Sequence, residues 1–86
     1  MSCYSVELSR SAEKALRKLP RDDLRHIAAA LKRLESDPRP QGSRKLSGYD
    51  DVLRIRVGRY RIIYNIIEER VLVIVLKIGH RRDIYR

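Results

Sequence analysis

Arginine recurs at strand spacing in the second half of this chain, in a pattern suited to binding phosphate. Arg54 and Arg56 alternate with apolar residues, and Arg61 lies in the next predicted strand. If Gly58 and Arg59 form a two-residue turn, the three arginines share one face of a hairpin. Like charges facing each other across a sheet are unfavourable. A single arginine on a strand is usually part of a solvated surface, but three neighbours without an interleaved acid indicate a site for an anion.

The other chemically active residues exclude several kinds of site. The pairs Asp50–Asp51 and Glu68–Glu69 fall in predicted turns, where adjacent side chains diverge, so they do not form the clustered carboxylates of a metal nuclease. Cys3, His26 and His80 lack the spacing of zinc ligands. No glycine-rich phosphate loop, Ser-His-Asp set or Cys-His pair can be assembled. We therefore predict a site without a metal and without a cofactor.

Cleavage of RNA by its own 2′-hydroxyl is a reaction that such an arginine cluster suits. The RNA supplies the nucleophile, so the protein mainly has to align the 2′-oxygen with the scissile phosphate. Fixed cations stabilise the negative charge that grows on the phosphoryl oxygens, and the fork of arginine matches phosphate. Arginine, with a pKa above ~12, is a poor general base. His80 has a more suitable ordinary pKa and is the candidate acid or base.

The overall composition also points to an anionic partner. The chain has 86 residues, room for one domain over 1–86, and carries 20 Lys and Arg against 11 Asp and Glu, a net charge of +9. Self-repulsion opposes folding, so the excess favours nucleic acid, a ribonucleoprotein, an anionic membrane or an acidic protein as partner. Residues 44–86 hold eleven basic and five acidic residues, and residues 1–43 hold nine and six. The excess charge therefore lies mainly in the half that contains the predicted sheet.

The sequence shows no sign of export or of membrane insertion. Met1–Arg10 contains no apolar run of signal-peptide length. The longest apolar run, Val71–Leu76, is far shorter than the ~20 residues of a membrane span. The single Cys3 excludes an internal disulfide. We expect a soluble protein with no membrane contact, located in the reducing environment of the cytoplasm.

Two helices are predicted before the arginine-bearing strands. Ser9 is a suitable N-cap for the first helix, which we expect to end at Leu19, before a proline. The second helix is predicted to begin near Asp22 or Asp23, where carboxylates suit the positive helix end, and to end at Asp37–Pro38. The pair forms a helical hairpin with charge outside and an apolar inner stripe in its second helix: Leu24, Ile27, Leu31 and Leu34.

Strands are predicted on both sides of this hairpin. Residues 3–8 alternate as a short strand, residues 38–48 are predicted to form a loop, and three antiparallel strands follow over 53–57, 60–66 and 71–78. The last strand is apolar on both faces, as expected of a central strand covered on each side. The fold class is therefore α+β, with the helices on one face of the meander. The core face of the first two strands holds Leu53, Ile55, Val57, Tyr60, Ile62 and Tyr64.

Two of these segments together resemble the RelE/ParE superfamily of bacterial and archaeal toxins. They are RIRVGRYRIIY over Arg54–Tyr64 and IGHRRDIY over Ile78–Tyr85. The resemblance extends to the early strand, the basic helical hairpin and the KLSG segment at 45–48. It implies a RelE-like domain. For the RelE branch it implies ribosome-dependent cleavage of mRNA in the A site, and neutralisation by a co-encoded, RelB-like antitoxin that wraps the toxin.

Carried over by position, the resemblance assigns catalytic roles to five residues. The two basic strand positions of the family fall on Arg54 and Arg56, and its phosphate-binding arginine falls on Arg61. The arginine near the leaving group falls on Arg81, and the aromatic that orients the substrate falls on Tyr85. The best-known members have lysines at the strand pair, one of them implicated in proton transfer. Arginines hold their protons more tightly, so the identity of the general base stays open.

Other basic residues surround this set, and a basic tail follows the last strand. Gly79 permits a sharp turn that would return Arg81 or Arg82 to the arginine face. Tyr85 suits either a core cap or a ring on which a base stacks. Contacts with the RNA or the ribosome are expected from Arg44, Lys45, Lys77 and Arg82.

Two further function classes remain open. A ParE-like protein would inhibit DNA gyrase by binding, without catalysis. The five-residue set favours the nuclease, since a pure inhibitor does not need it. A basic nucleic-acid-binding module is permitted by the charge, but the sequence has no recognition-helix pattern and no aromatic pair on the exposed sheet face.

Overall fold

The computed structural model describes residues 3–49 and 51–80, so the predictions for Arg81, Arg82 and Tyr85 lie outside the described residues. Two helices follow the first strand, and four strands follow the helices. The elements are β1 (Ser5–Leu8), α1 (Arg10–Arg17), α2 (Arg21–Ser36), β2 (Arg44–Lys45), β3 (Val52–Val57), β4 (Tyr60–Ile67), a 3₁₀ helix (Glu68–Arg70) and β5 (Leu72–His80).

The strands form one five-stranded sheet in the order β1-β5-β4-β3-β2. Strands β3, β4 and β5 make the predicted antiparallel meander, and β1 lies parallel to β5 at one edge. At the other edge, the segment predicted as a loop over 38–48 contains the short strand β2, antiparallel to β3. Local periodicity could not reveal β2, because a two-residue strand contains only a single alternation of side chains and so no repeat. The α+β class with helices on one face is confirmed.

The two helices begin and end close to the predicted positions. The Ser9 hydroxyl accepts the N–H of Ala12 at 3.0 Å, which confirms the predicted cap, and donates to the carbonyl of Leu76 in β5 at 2.8 Å. Helix α1 ends at Arg17 rather than Leu19, and α2 begins at Arg21 with the preceding proline as its N-cap. Neither helix in the described part of the chain is long and apolar enough to cross a bilayer.

The hydrophobic core lies between the helices and one face of the sheet. Ala12 of α1 and Ile27 and Leu34 of α2 pack against the apolar residues of β3, β4 and β5. Leu24, which the helical periodicity places on the inner stripe, is instead 36% exposed at the first turn of α2. The sheet contributes Leu53, Ile55, Ile62, Tyr64, Ile66, Val73, Val75 and Ile78. We call the opposite side of the sheet the open face.

A β-bulge resets the alternation of β5. Ile63 pairs with Lys77, but the next residue of β4, Tyr64, pairs with Val75, so Leu76 is the extra residue. An extra residue shifts the phase of every side chain that follows. The shift places Lys77 on the open face and returns Ile78 to the core, where it is 6% exposed. The prediction that both faces of this strand are covered is wrong for Lys77, which is exposed.

Candidate active site

The β3–β4 hairpin builds the site by fixing which residues share a face. Gly58 has φ of +60°, a value that glycine adopts without strain, and the turn at Gly58–Arg59 is two residues long. The predicted register is confirmed: Arg56 pairs with Arg61, and Arg54 pairs with Ile63. All three arginines therefore lie on the open face, away from the helices.

Four arginines line one cleft of about 320 Å³ on the open face, which we call the arginine cleft. Its lining residues are Gly42, Arg44, Arg54, Ile55, Arg56 and Arg61. The pairing across the sheet arranges the open face in two rows. One row runs through Arg44, Arg54, Ile63 and Lys77, and the other through Arg56, Arg61 and Gly79. The rows are about 6.6–6.8 Å apart, the rise of two strand residues.

The arginines of the cleft differ in their exposure. Arg61 is only 8% exposed, and its Nε and Nη1 atoms are shielded from solvent. Its neighbour on β5 is Gly79, which has no side chain. Arg56, directly opposite on β3, is exposed, and Arg54 is half-buried. The cleft thus combines one buried cation with half-buried and exposed ones.

Two arginines of the cleft lack an acidic partner among the described residues. Within residues 3–49 and 51–80, Arg44 and Arg56 make no ion pair. Ion pairs in this part of the chain lie elsewhere, between Arg17 and Glu13 at 3.8 Å and between Arg39 and Glu68 at 2.8 Å. The same residues include no group of three His, Cys, Asp or Glu that could hold a metal ion. The described lining is cationic, and the planar fork of a guanidinium group has the geometry to hold a phosphate.

A buried tyrosine holds the loop that forms one wall of the cleft. The hydroxyl of Tyr64, on the core face of β4, donates to the carbonyl of Pro38 at 2.8 Å. Burial raises the pKa of Tyr64 to about 12, so the hydroxyl remains a donor at neutral pH. Beyond this anchor, the N–H of Ser43 bonds the carbonyl of Pro40 at 3.0 Å, and Gly42 has φ of +95°. This turn places Gly42 and the start of β2 at the wall of the cleft.

An ion pair on the surface holds the same loop from the other side. Arg39 donates to Glu68 of the 3₁₀ helix at 2.8 Å, and the hydroxyl of Tyr4 donates to the other carboxylate oxygen at 2.8 Å. These two hydrogen bonds lower the pKa of Glu68. The bond to Glu68 also raises the pKa of the Tyr4 hydroxyl. We call these three residues, Tyr4, Arg39 and Glu68, the bracket. Sequence analysis missed it because the three residues are far apart along the chain and share no motif.

Two predicted site residues lie away from the arginine cleft. His80 pairs with Tyr60, and the two rings meet edge to face with centroids 5.6 Å apart. The Tyr60 hydroxyl donates to Asp23 of α2 at 3.1 Å, and burial raises its pKa. His80 is therefore on the helix-covered face, and its placement gives no support to proton transfer beside the arginines. Lys45 pairs with the core residue Leu53, so it also lies on that side of the sheet.

The bulge explains the position of His80. With Leu76 as an extra residue, Lys77 and Gly79 take the open-face positions, and Ile78 and His80 take the opposite ones. Of the residues predicted to contact RNA, Arg44 and Lys77 share the open face with the catalytic candidates Arg54, Arg56 and Arg61.

Comparison with known proteins agrees with this architecture. Residues 6–85 match the family described as ParE toxin of type II toxin-antitoxin system, parDE. The toxin RelG of Mycobacterium tuberculosis is 34% identical over 87 residues, an alignment that covers 96% of this chain and 97% of RelG.

Solved structures of RelE proteins are also similar to this chain. The chain is similar to RelE in the RelE–RelB complex of Pyrococcus horikoshii, with a TM-score of 0.83, 30% identity, and coverage of 94% of this chain and 98% of that one. It is similar to the isolated RelE toxin of E. coli, with a TM-score of 0.81, 29% identity, and coverage of 95% and 90%. The family match spans nearly all of the chain, which therefore belongs to the RelE/ParE superfamily and is a RelE-like toxin of a type II toxin–antitoxin system.

Proposed function

We propose that this toxin is a ribosome-dependent endoribonuclease that cleaves mRNA in the A site, with the RNA 2′-hydroxyl as nucleophile and without a metal. The observation that supports the proposal most directly is the arginine cleft, where four arginines line one cavity on the open face of a RelE-like sheet. Such a cluster is unfavourable for folding and useful for binding phosphate.

The two rows of the open face suit an RNA backbone. Arg56 and Arg61 face each other and would hold the scissile phosphate, with the buried Arg61 as the fixed member of the pair. Arg44 and Arg54, with Lys77 further along, would contact a neighbouring phosphate. Rigid cations aimed at the phosphoryl oxygens stabilise the extra negative charge of the transition state. Holding two phosphates also restricts the ribose between them, which favours in-line attack.

Proton transfer is the step that the described cleft serves least well. Its titratable lining residues are all arginines, which stay protonated at neutral pH, and His80 lies on the other face. We therefore assign orientation and charge stabilisation to Arg54, Arg56 and Arg61. Arg81, at the leaving group, and Tyr85, as the orienting aromatic, complete the proposed site on the basis of the family resemblance.

A RelB-like antitoxin is the proposed protein partner. The P. horikoshii relative was solved as a RelE–RelB complex, and an E. coli relative as an intact RelBE toxin–antitoxin complex. The net charge of +9 makes an acidic segment a suitable ligand for this chain. We place both the toxin and its targets in the cytoplasm, where mRNA and ribosomes are found.

Primer extension on translating ribosomes tests the enzyme. The wild-type toxin is expected to produce cuts in the A-site codon. The Arg61→Ala, Arg81→Ala double variant is expected to cut at least about a hundredfold more slowly, the usual effect of removing one group that stabilises a transition state. Arg25→Ala, an exposed arginine on α2, is the matched control and should cut normally. Full cleavage by the folded double variant would refute the site assignment.

Inhibition of DNA gyrase is the second candidate, because the matching family carries the ParE name. A supercoiling assay with purified gyrase separates the two functions. The nuclease proposal predicts no inhibition at toxin concentrations that cleave ribosome-bound mRNA. Inhibition of gyrase together with intact mRNA would establish the alternative.

A further inference from the structure

One lysine lies among the arginines of the open face. The bulge at Leu76 turns Lys77 towards this face, where it is exposed. The other lysines of the described residues lie on the helices, just after α1 or, in the case of Lys45, on the opposite side of the sheet. Lys77 borders the arginine cleft without lining it. It is therefore the only lysine that the described open face places near the proposed phosphate site.

Lys77 flanks Arg61 on the side away from Arg54. Arg61 pairs with Gly79 of β5, and Lys77 lies two residues before that glycine. Diagonal neighbours of this kind lie about 7–8 Å apart, which long side chains can span. Arg54 is the corresponding diagonal neighbour of Arg61 on β3, because it lies two residues before Arg56. A phosphate held by Arg61 would therefore have a cation on each side, Arg54 towards β3 and Lys77 towards β5.

The ammonium group of Lys77 is not engaged elsewhere in the described part of the chain. Lys77 forms no ion pair and no hydrogen bond through its side chain with another described residue. On the neighbouring strand β1, the acidic residue Glu7 pairs in register with Ile74 and makes no ion pair with the lysine. The amine is therefore available to a substrate on the open face.

Lysine and arginine differ in the chemistry that they bring to such a position. A guanidinium group, with an ordinary pKa above ~12, holds its proton too tightly to exchange it during a reaction. The ammonium group of a lysine is a stronger acid, with an ordinary pKa of about 10.4. An alkoxide that leaves phosphorus is a much stronger base than an amine, so it takes a proton from an ammonium group. A lysine can thus supply a proton as well as a charge.

We infer that Lys77 is a catalytic residue, the general acid that protonates the departing 5′-oxygen, beyond the charge that it lends to the RNA backbone. The inference rests on the proposed function. In-line displacement puts the attacking and the leaving oxygen on opposite sides of phosphorus. With the neighbouring phosphate held at Arg44 and Arg54, on the side of β3, the leaving oxygen faces β5, where Lys77 lies.

The proton and electron pairs of this step balance without a further reactant. The 2′-hydroxyl loses its proton to water, and the 2′-oxygen forms a bond to phosphorus. The bond from phosphorus to the 5′-oxygen breaks, and the 5′-oxygen keeps the electron pair and takes a proton from the Lys77 ammonium. The products are a 2′,3′-cyclic phosphate and a 5′-hydroxyl, and the lysine amine regains its proton from water.

Single-turnover cleavage of ribosome-bound mRNA by Lys77→Arg tests the assignment. Arginine keeps the charge of the side chain but not its exchangeable proton, so cleavage should be about a hundredfold slower. Affinity for a labelled single-stranded RNA should stay within about twofold of wild type, because the same number of phosphates is neutralised. Lys32→Arg, at an exposed lysine on α2, is the matched control and should cut normally. Cleavage by Lys77→Arg at the wild-type rate overturns the inference.

An mRNA with sulfur in place of the leaving 5′-oxygen separates proton donation from charge. A thiolate leaves without being protonated, so Lys77→Arg should cut this RNA within about threefold of the wild-type rate. Arg61→Ala removes charge stabilisation instead, and should stay slow on both RNAs. A Lys77→Arg defect of equal size on the two RNAs would show that the lysine only binds or positions the substrate, and would overturn the inference.

Failure of the inference and failure of the proposed function give different results. If the wild-type toxin cuts mRNA and Lys77→Arg cuts it equally well, the role of Lys77 is refuted and the nuclease remains. If the wild-type toxin cuts neither RNA on translating ribosomes, the nuclease is refuted, and the role of Lys77 with it.

Discussion

At the scale of single residues, burial separates two arginines that the sequence makes equivalent. Arg56 and Arg61 face each other across the hairpin, yet Arg56 is exposed and Arg61 is 8% exposed. The stem of a buried arginine packs as an apolar group, so its removal affects folding as well as charge. An exposed arginine contributes mainly to binding. The pair therefore allows the stability of the fold and the proposed affinity for RNA to be changed separately.

Substitution of Arg56 and of Arg61 by glutamine should reveal the effect of their different burial. Arg56→Gln is expected to change the free energy of unfolding by less than about 0.5 kcal/mol, and Arg61→Gln to lower it by about 1–2 kcal/mol. Both should weaken binding to single-stranded RNA. Urea unfolding and fluorescence anisotropy measure the two effects, with Arg25→Gln on α2 as the control. Equal destabilisation by the two cleft variants would contradict the burial argument.

At the scale of elements, the site depends on a loop that belongs to neither of its strands. The segment before β2 supplies Gly42 to the cleft wall, and it is held by Tyr64 from the core and by Glu68 from the 3₁₀ helix. A loop constrained at two points keeps a narrow range of conformations, which is what the proposed phosphate site needs. The bracket at Glu68 should therefore affect both stability and the geometry of the cleft.

The bracket makes a pH-dependent contribution to stability. Hydrogen bonds from Arg39 and Tyr4 lower the pKa of Glu68 in the folded state, so its contribution is present above the ordinary pKa of 4.5 and is lost as pH falls through the folded value. Glu68→Gln should lower the Tm at pH 7, and the difference from wild type should shrink towards zero in more acidic buffer. Calorimetry over a pH series measures it.

Glu69→Gln is the control for this prediction. Glu69 is an exposed neighbour in the same 3₁₀ helix and forms no ion pair within the described residues, so its substitution should leave the Tm profile close to wild type. A Tm difference for Glu68→Gln that stays constant from neutral to acidic pH would show that the charge of Glu68 does not stabilise the loop.

At the scale of the whole molecule, the basic residues behind the net charge of +9 are partly dispersed over the surface and partly gathered in the arginine cleft. Basic residues cover the outside of the helices as well as the open face, but among the described residues four arginines converge on one cleft only at the open face. Diffuse charge accelerates encounter with a polyanion, whereas converging charge holds particular phosphates. The two contributions differ in how they respond to salt.

The salt dependence of RNA binding separates the contribution of the dispersed charges from that of the charges in the arginine cleft. For single strands, the slope of log K against log salt changes by about 0.7 for each phosphate that the protein no longer neutralises. Arg44→Gln, in the cleft, should reduce the slope by roughly that amount, and Arg10→Gln, at the start of α1, should leave it unchanged. Anisotropy titrations at several salt concentrations give both slopes. Equal slopes for the two variants would mean that the cleft holds no particular phosphate.

Local patterns in the sequence are enough to determine the hairpin register and the positions of both helices. Alternation of apolar and basic residues around Gly58 predicts the hairpin register and the shared face of Arg54, Arg56 and Arg61, and all of that is confirmed. Periodicity and capping likewise predict both helices to within two residues of where they begin and end. These features depend on the nearest neighbours along the chain, which is why the residue types alone are sufficient to specify them.

Only the tertiary structure decided the features that depend on distant contacts. The bulge at Leu76 reverses the phase of β5, and so brings Lys77 into the row of Arg54 and takes His80 away from it. The strand β2, the parallel position of β1 and the bond from Tyr64 to Pro38 each join segments that local periodicity does not relate. Pairing partners and burial are set by how the whole sheet packs on the helices, and a local pattern is compatible with more than one such packing.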